Sequence, residues 1–279
     1  VYGARAANGV VLVTTKTGKE GKTKVTYDFS YGWQNPWRER DVLNATEYAI
    51  MMNEGAINSG QAPKYNDPYS YGVGTNWQKE TFNNDAPVMN HQVSVSGASE
   101  KVNYMFSLGY YGQEGIVGGN YNRSNYNRLT LRSNTQYTIF DESKNRNWLN
   151  SLKITSNLSY ARVKARSIEA NSSYYSPLGS ALALSPILTP YAEGDAADAQ
   201  LKKYEGDSNY TPVYSPDGRL YTIPGGDFNE MINPLASLSL PGALSKTHKF
   251  VANFSADLQL WDNLKFRTSY GVDIQFYSN

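Results

Sequence analysis

From residue 24 to residue 33 the chain alternates between apolar and polar side chains. Val25, Tyr27, Phe29, Tyr31 and Trp33 fall on one side of an extended backbone, with Thr26, Asp28, Ser30 and Gly32 on the other. A period of two residues predicts a β-strand with one apolar and one polar face. The alternation returns six times. Residues 92–97 carry Val93 and Val95, and residues 102–110 carry Val102, Tyr104, Phe106, Leu108 and Tyr110. A fourth run sets Leu129, Leu131, Tyr137 and Ile139 against Arg128, Arg132 and Gln136. A fifth sets Leu152, Ile154, Leu158 and Tyr160 against Lys153, Thr155, Asn157 and Ser159. In the sixth, Phe250, Ala252, Phe254, Ala256, Leu258 and Leu260 oppose Asn253, Ser255, Asp257 and Gln259. In the seventh, Leu264, Phe266, Tyr270, Val272 and Ile274 oppose Lys265, Arg267, Ser269 and Asp273.

The connections predict more than the strands do. They run long (35–90), tight (98–101), intermediate (113–124), short (141–148), very long (167–246) and tight (261–263). Short turns on one rim and long loops on the other mark a bacterial outer-membrane barrel, with the apolar face towards lipid and the polar face lining the lumen. On that reading Asp28, Arg128, Arg132, Lys153, Asp257, Lys265, Arg267 and Asp273 face the lumen. Trp148 and Trp261 flank short turns, while Trp33, Tyr110, Tyr111 and Tyr160 lie near the opposite strand ends, as interfacial girdles do. A soluble β domain also alternates, but gives no reason for the alternation in loop length. Within the first long loop, Asn44 as N-cap, Glu47 at N3 and a Leu43–Tyr48 staple predict a helix from about residue 45 to 52 or beyond, ending near Gly55 or Gly60. Within the second, Ser215-Pro-Asp-Gly218 predicts a small hairpin between Val213 and Ile223. Loops of this length are uncommon unless they bind something or are disordered.

Composition sharpens this picture. A length of 279 residues allows one large domain or two ordinary ones. The net charge of +1 gives no electrostatic case for nucleic acid. Cysteine is absent, which removes disulfide and thiol chemistry. No apolar run approaches the roughly 20 residues of a membrane helix. A mean hydropathy of −0.57 still suits a barrel, since only every second strand residue meets lipid.

Candidate chemistry is sparse. Gly21-Lys-Thr23 resembles the end of a phosphate-binding loop, but Lys16 stands where the first glycine belongs, and a strand follows. His91 and His248 lack metal-ligand spacing. No Gly-x-Ser-x-Gly elbow is present. Glu193, Asp195 and Asp198 form an acidic group that reads as a calcium site or a solvated face, the latter better supported by the spacing. The Asn157-Leu-Ser and Asn253-Phe-Ser triplets lie inside predicted strands, against glycosylation. Trp37, Trp77, Tyr174 and Tyr175 read either as sugar-stacking contacts or as residues packing a long loop. No cofactor is expected, and no enzymatic role.

The opening stretch carries the most specific motif. Tyr2, Gly3, Arg5, Ala6, Ala7, Asn8 and Gly9 lead through a tight turn into a β-branched run at 10–15. The stretch closely resembles the end of the plug domain in SusC/RagA-type TonB-dependent outer-membrane transporters. Thr46-Glu-Tyr48, Asn76-Trp77, Ser94-Val-Ser-Gly97, Gly112-Gln-Glu-Gly-Ile116 and the Arg123…Arg128 pair resemble that family's first barrel segments in order. The resemblance implies an all-β fold, part of a large antiparallel transmembrane barrel of about 22 strands. Residues 1–22 would end the plug and link it to the barrel, and residues 23–279 would supply about seven barrel strands. It further implies import of an oligosaccharide or peptide across the outer membrane, a SusD-like surface lipoprotein over the mouth, and energy from TonB. The chain starts in mid-motif and stops inside an alternating run, so a piece of a longer polypeptide is expected; the lack of a leader says nothing about location. A passive porin or adhesin barrel and a secreted sugar-binding β domain are the alternatives.

Overall fold

The computed structural model describes residues 9, 21–141, 147–169, 172, 175–225, 228 and 231–279. Tyr2, Gly3, Arg5, Ala6, Ala7 and Asn8, the strand expected at 10–15, part of the 141–148 turn and Tyr174 lie outside the described residues. Gly9 has φ 103°, a conformation open chiefly to glycine.

All the alternating runs become strands: β1 (Gly21–Gln34), β2 (Ala86–Ala98), β3 (Val102–Glu114), β4 (Asn125–Phe140), β5 (Ser151–Arg166), β8 (Ser245–Trp261) and β9 (Leu264–Ser278). They form one seven-stranded antiparallel sheet in chain order, β1-β2-β3-β4-β5-β8-β9. The register decides which side chains share a face. One line across the sheet reads Val25, Val95, Phe106, Ser133, Leu158, Ala252 and Val272. The adjacent line, on the other face, reads Thr26, Ser94, Ser107, Arg132, Ser159, Val251 and Asp273. The apolar face stays open, with Val25 66 %, Phe106 47 % and Tyr270 68 % exposed. That is far more contiguous apolar surface than a soluble monomer leaves bare.

The strands outrun the pattern that predicts them. β2 begins at Ala86, so the first long loop spans 35–85 rather than 35–90. Pro87 lies in the paired segment opposite Trp33, where a proline reads from sequence as a breaker. β3 reaches Glu114, and the following loop is 115–124 rather than 113–124. β8 begins at Ser245, so the second long loop spans 167–244 rather than 167–246. In β3 and β8 the ladder extends into polar residues, and in β2 into Ala86-Pro-Val-Met89, which do not alternate, because backbone pairing is indifferent to side-chain polarity.

The long loops are not structureless. In the first, α1 (Ala45–Asn58) starts as expected: Asn44 Oδ1 accepts from the Glu47 amide and Glu47 Oε2 from the Asn44 amide, both at 2.9 Å. The helix continues past Gly55 to Asn58. A short helix, α2 (Trp77–Thr81), follows. The second loop holds α3 (Pro177–Ala183), α4 (Asp195–Lys203), α5 (Pro234–Ser239) and the two-residue strands β6 (Tyr191–Ala192) and β7 (Leu220–Tyr221). The hairpin expected there forms: Gly218 takes φ 86°, Tyr214 bridges to Leu220, and the Tyr221 amide donates to the Val213 carbonyl at 3.0 Å.

The two loops share a core. Trp77 from the first packs with Ala181, Leu184, Tyr221 and Leu235 from the second. The Trp77 indole donates to the Ser185 carbonyl at 3.0 Å. Gly74 marks the closest approach, with φ 70°; a Cβ there would run into the Pro186 carbonyl oxygen and the Ala45 side chain.

Two outcomes follow from this architecture. Residues 21–279, with a bare apolar face and open strand edges at β1 and β9, should aggregate in plain buffer and disperse in detergent. A sharp monomer by light scattering without detergent would contradict this. Trp77→Ala should cost about 3–5 kcal/mol by opening a cavity in the loop core, leaving the sheet intact. Limited proteolysis checks it: cuts should multiply within 35–85 and 167–244 while the strands stay protected.

Candidate functional site

The polar face is a charged surface with internal pairing. Asp28, Arg128, Arg132, Lys153, Asp257, Lys265, Arg267 and Asp273 all share it, by the strand register. Arg267 pairs across strands with Asp257 at 3.1 Å, and Lys249 with Asp273 at 3.3 Å. The Arg128 guanidinium lies over the Tyr111 ring, 5.8 Å from its centroid. Thr26 and Ser94 join hydroxyls at 2.7 Å. Around Arg132 a hollow of about 590 Å³ is lined by Gln92, Ser107, Asn134, Asn157 and Asn253. Donors and acceptors of this density suit polar solutes held by many weak contacts.

The loop aromatics singled out from sequence separate in the structure. Trp37 is 95 % exposed and Tyr175, with φ 55°, is 64 % exposed. Trp77 is 3 % exposed and packs the loop core, so its ring is withdrawn from the surface. Asp195 and Asp198 fall in the first turn of α4, where carboxylates offset the partial positive charge of the helix start. Among the described residues no group of three or more His, Asp or Glu side chains is placed to hold a metal ion. His91 and His248 each bond a tyrosine hydroxyl through Nδ1 at 2.8 Å, to Tyr27 and Tyr160 respectively.

Several loop residues escape sequence reasoning. Tyr191 stacks on Tyr221 with centroids 5.1 Å apart, and the Arg219 guanidinium covers Tyr191 at 3.7 Å. Arg219 is held in turn by Asp217 at 2.7 Å. Burial, followed by the nearby Tyr221 and Tyr191, pushes the Tyr121 hydroxyl far above its ordinary range, so it stays protonated. Beside this cluster, a pocket of about 270 Å³ is lined by Tyr210, Val213, Thr222, Ile223, Met231 and Leu240. The Tyr210 hydroxyl and Thr222 Oγ1 are buried without a partner among the described residues. The turn motif at 215–218 marks the hairpin that carries Asp217, Arg219 and Tyr221, but no local motif marks the stacking of Tyr191 on Tyr221, which are distant in the chain.

Comparison with known proteins bears on the whole arrangement. No family model matches the chain. The TonB-dependent receptor SusC of Bacteroides thetaiotaomicron is 28 % identical over 261 residues, 92 % of this chain and 23 % of SusC. A TonB-dependent receptor of Formosa agariphila is 38 % identical over 148 residues, 52 % of this chain and 14 % of the receptor. The solved RagAB peptide transporter shares the fold, with a TM-score of 0.68 at 22 % identity over 99 % of this chain and 30 % of that one. The chain thus spans less than a quarter of the length of these curated relatives. By a sequence match along almost the whole chain, and by a bare apolar face on an unclosed sheet, the chain is similar to part of the transmembrane β-barrel of the SusC/RagA-type TonB-dependent outer-membrane transporters.

Proposed function

We propose that the full-length protein imports a nutrient, an oligosaccharide or a peptide, across the bacterial outer membrane. TonB supplies the energy through a plug that residues 1–22 complete, and a SusD-like lipoprotein closes over the loops of residues 23–279. The observation that carries this reading is the division of labour between rims. Tight turns close one end of the strands, while at the other end both long loops fold into a shared core around Trp77 and Leu235. A folded cap is more than a leakage barrier requires. It can present fixed contacts to a partner or cargo, and Trp37, Tyr174 and Tyr175 are assigned that role. The polar face, with Arg132 at its hollow, lines the path beneath, and the apolar face meets lipid. Transport of this kind is gated binding and makes or breaks no covalent bond.

The orientation of the faces has its own test. In the full-length protein, Val93→Arg puts a cation at mid-depth towards lipid, which costs about 2–4 kcal/mol. Ser94→Arg, one residue on, should cost well under half of that. Urea titration of folding into lipid vesicles measures both, and equal costs would refute the assignment of faces. Function is tested in a strain that depends on this transporter for growth on its cargo. Trp37→Ala/Tyr175→Ala should lose growth and co-purification of the lipoprotein while the barrel still inserts. Unchanged uptake and pull-down would reduce the loops to a cover.

A further inference from the structure

The apolar face carries charge at only one of its two rims. Arg162 stands opposite His248, and Lys164 opposite Lys246, on the paired strands β5 and β8. The register puts these side chains on the same face as Tyr160 and Phe250, which are also paired. Arg166 ends β5 on this face and donates to Asn122 at 3.1 Å. At the tight-turn rim the corresponding positions are Tyr104, Tyr137, Ile154, Leu258 and Phe266, and no cation shares the face there among the described residues.

Like charges directly opposite one another on a sheet destabilise it. Arg162, Lys164 and Lys246 are exposed, and none makes an ion pair among the described residues. The nearest acid on the face, Glu114, is two strands from Arg166, with Asn125 between them. Among the described residues no acid on this face offsets these cations, which leaves them free to take up an anion. His248 is pinned by its 2.8 Å bond to the Tyr160 hydroxyl, with ring centroids 6.0 Å apart. Directly below Tyr160 and Phe250, a groove of about 410 Å³ runs between Val93, Phe106, Leu131 and Leu158. A cationic rim continuous with an apolar groove matches one kind of molecule.

We propose that this corner of the barrel binds a phosphorylated lipid of the outer leaflet. The headgroup phosphate lies among Arg162, Lys164, Lys246 and His248, and an acyl chain occupies the groove. The inference rests on the outward orientation of the apolar face, because the long-loop rim then lies at the outer-leaflet headgroup level. Long basic side chains reach such a level readily, and basic pockets on membrane proteins hold lipid headgroups by the same chemistry.

The full-length protein in mild detergent provides the test, with diphosphorylated lipid A as the probe and native mass spectrometry as the readout. The wild type should retain lipid A and release its dephosphorylated form. Arg162→Gln/Lys164→Gln/Lys246→Gln should weaken retention by about tenfold or more, since each basic residue contributes roughly fivefold. A charge-matched control on the loops, Lys79→Gln/Lys202→Gln/Lys203→Gln, should retain lipid as the wild type does. The charge-conserving Arg162→Lys/Lys246→Arg should do the same and guards against loss of fold. Equal retention by the triple variant, equal binding of dephosphorylated lipid A, or an equal loss in the loop control would overturn the proposal. Displacement by inorganic phosphate alone would overturn the choice of a lipid. A failure here with Val93→Arg still costly would leave the barrel reading standing, whereas a tolerated Val93→Arg would remove both.

Discussion

Strand register is the constraint on which everything else in this molecule depends. Side chains alternate with a period of two, so a slip of one residue would turn a whole strand's apolar set from one face to the other. Across seven strands the register keeps Val25, Val95, Phe106, Leu158 and Val272 aligned. In lipid the cost of a slip would be greater still, because no water is present to rescue a misplaced polar group or an unpaired amide. Where the register does shift, between Gly21 and Lys24, between Thr138 and Phe140 and between Gln259 and Trp261, it does so at the tight-turn end of the strands. Bulges there adjust the strand ends without disturbing the apolar band.

The same constraint explains the loops. A polar inner face offers nothing apolar to pack against, so the loop hydrophobics must bury themselves in one another. Trp77, Leu184, Tyr221 and Leu235 do this, drawing both long loops into one unit. Helices of five to nine residues, such as α2, α3, α4 and α5, are too short to persist alone. Side-chain caps compensate: Asn76, Ser176 and Asn233 each accept backbone amides at the start of α2, α3 and α5.

This division also separates what can be read in the sequence from what cannot. Strands announce themselves through local alternation, and α1 through a capping box confined to four consecutive residues. The short helices carry local signals too, Ser176-Pro177 and Asn233-Pro234 being N-caps followed by proline at the first turn. Read alone, those dipeptides look like turns. Burial of Trp77 is not legible at all, because its partner carbonyl at Ser185 lies 108 residues away. Lys246 reads as the end of a loop, yet its pairing with Lys164 gives it a place on the apolar face. The opening motif is the most specific sequence signal, and apart from Gly9 it lies outside the described residues.

The two faces of the sheet differ in where they carry positive charge. On the polar face cations occur along the strands, and two of them meet acids from neighbouring strands: Arg267 finds Asp257 and Lys249 finds Asp273. Such pairs are at least half exposed on one side and add little stability, and they leave cations in excess on this face, with Arg128, Arg132, Lys153 and Lys265 set against Asp28, Asp257 and Asp273. On the apolar face Lys164 confronts Lys246 with no ion pair to either among the described residues, and such charge is confined to the rim with the long loops. An accident of sequence would scatter such residues over both rims. Confinement to one rim follows if the two ends of the strands meet chemically different surroundings, as the two leaflets of an asymmetric membrane do. The charge pattern along β5 and β8 thereby distinguishes the two ends of the strands, as loop length does.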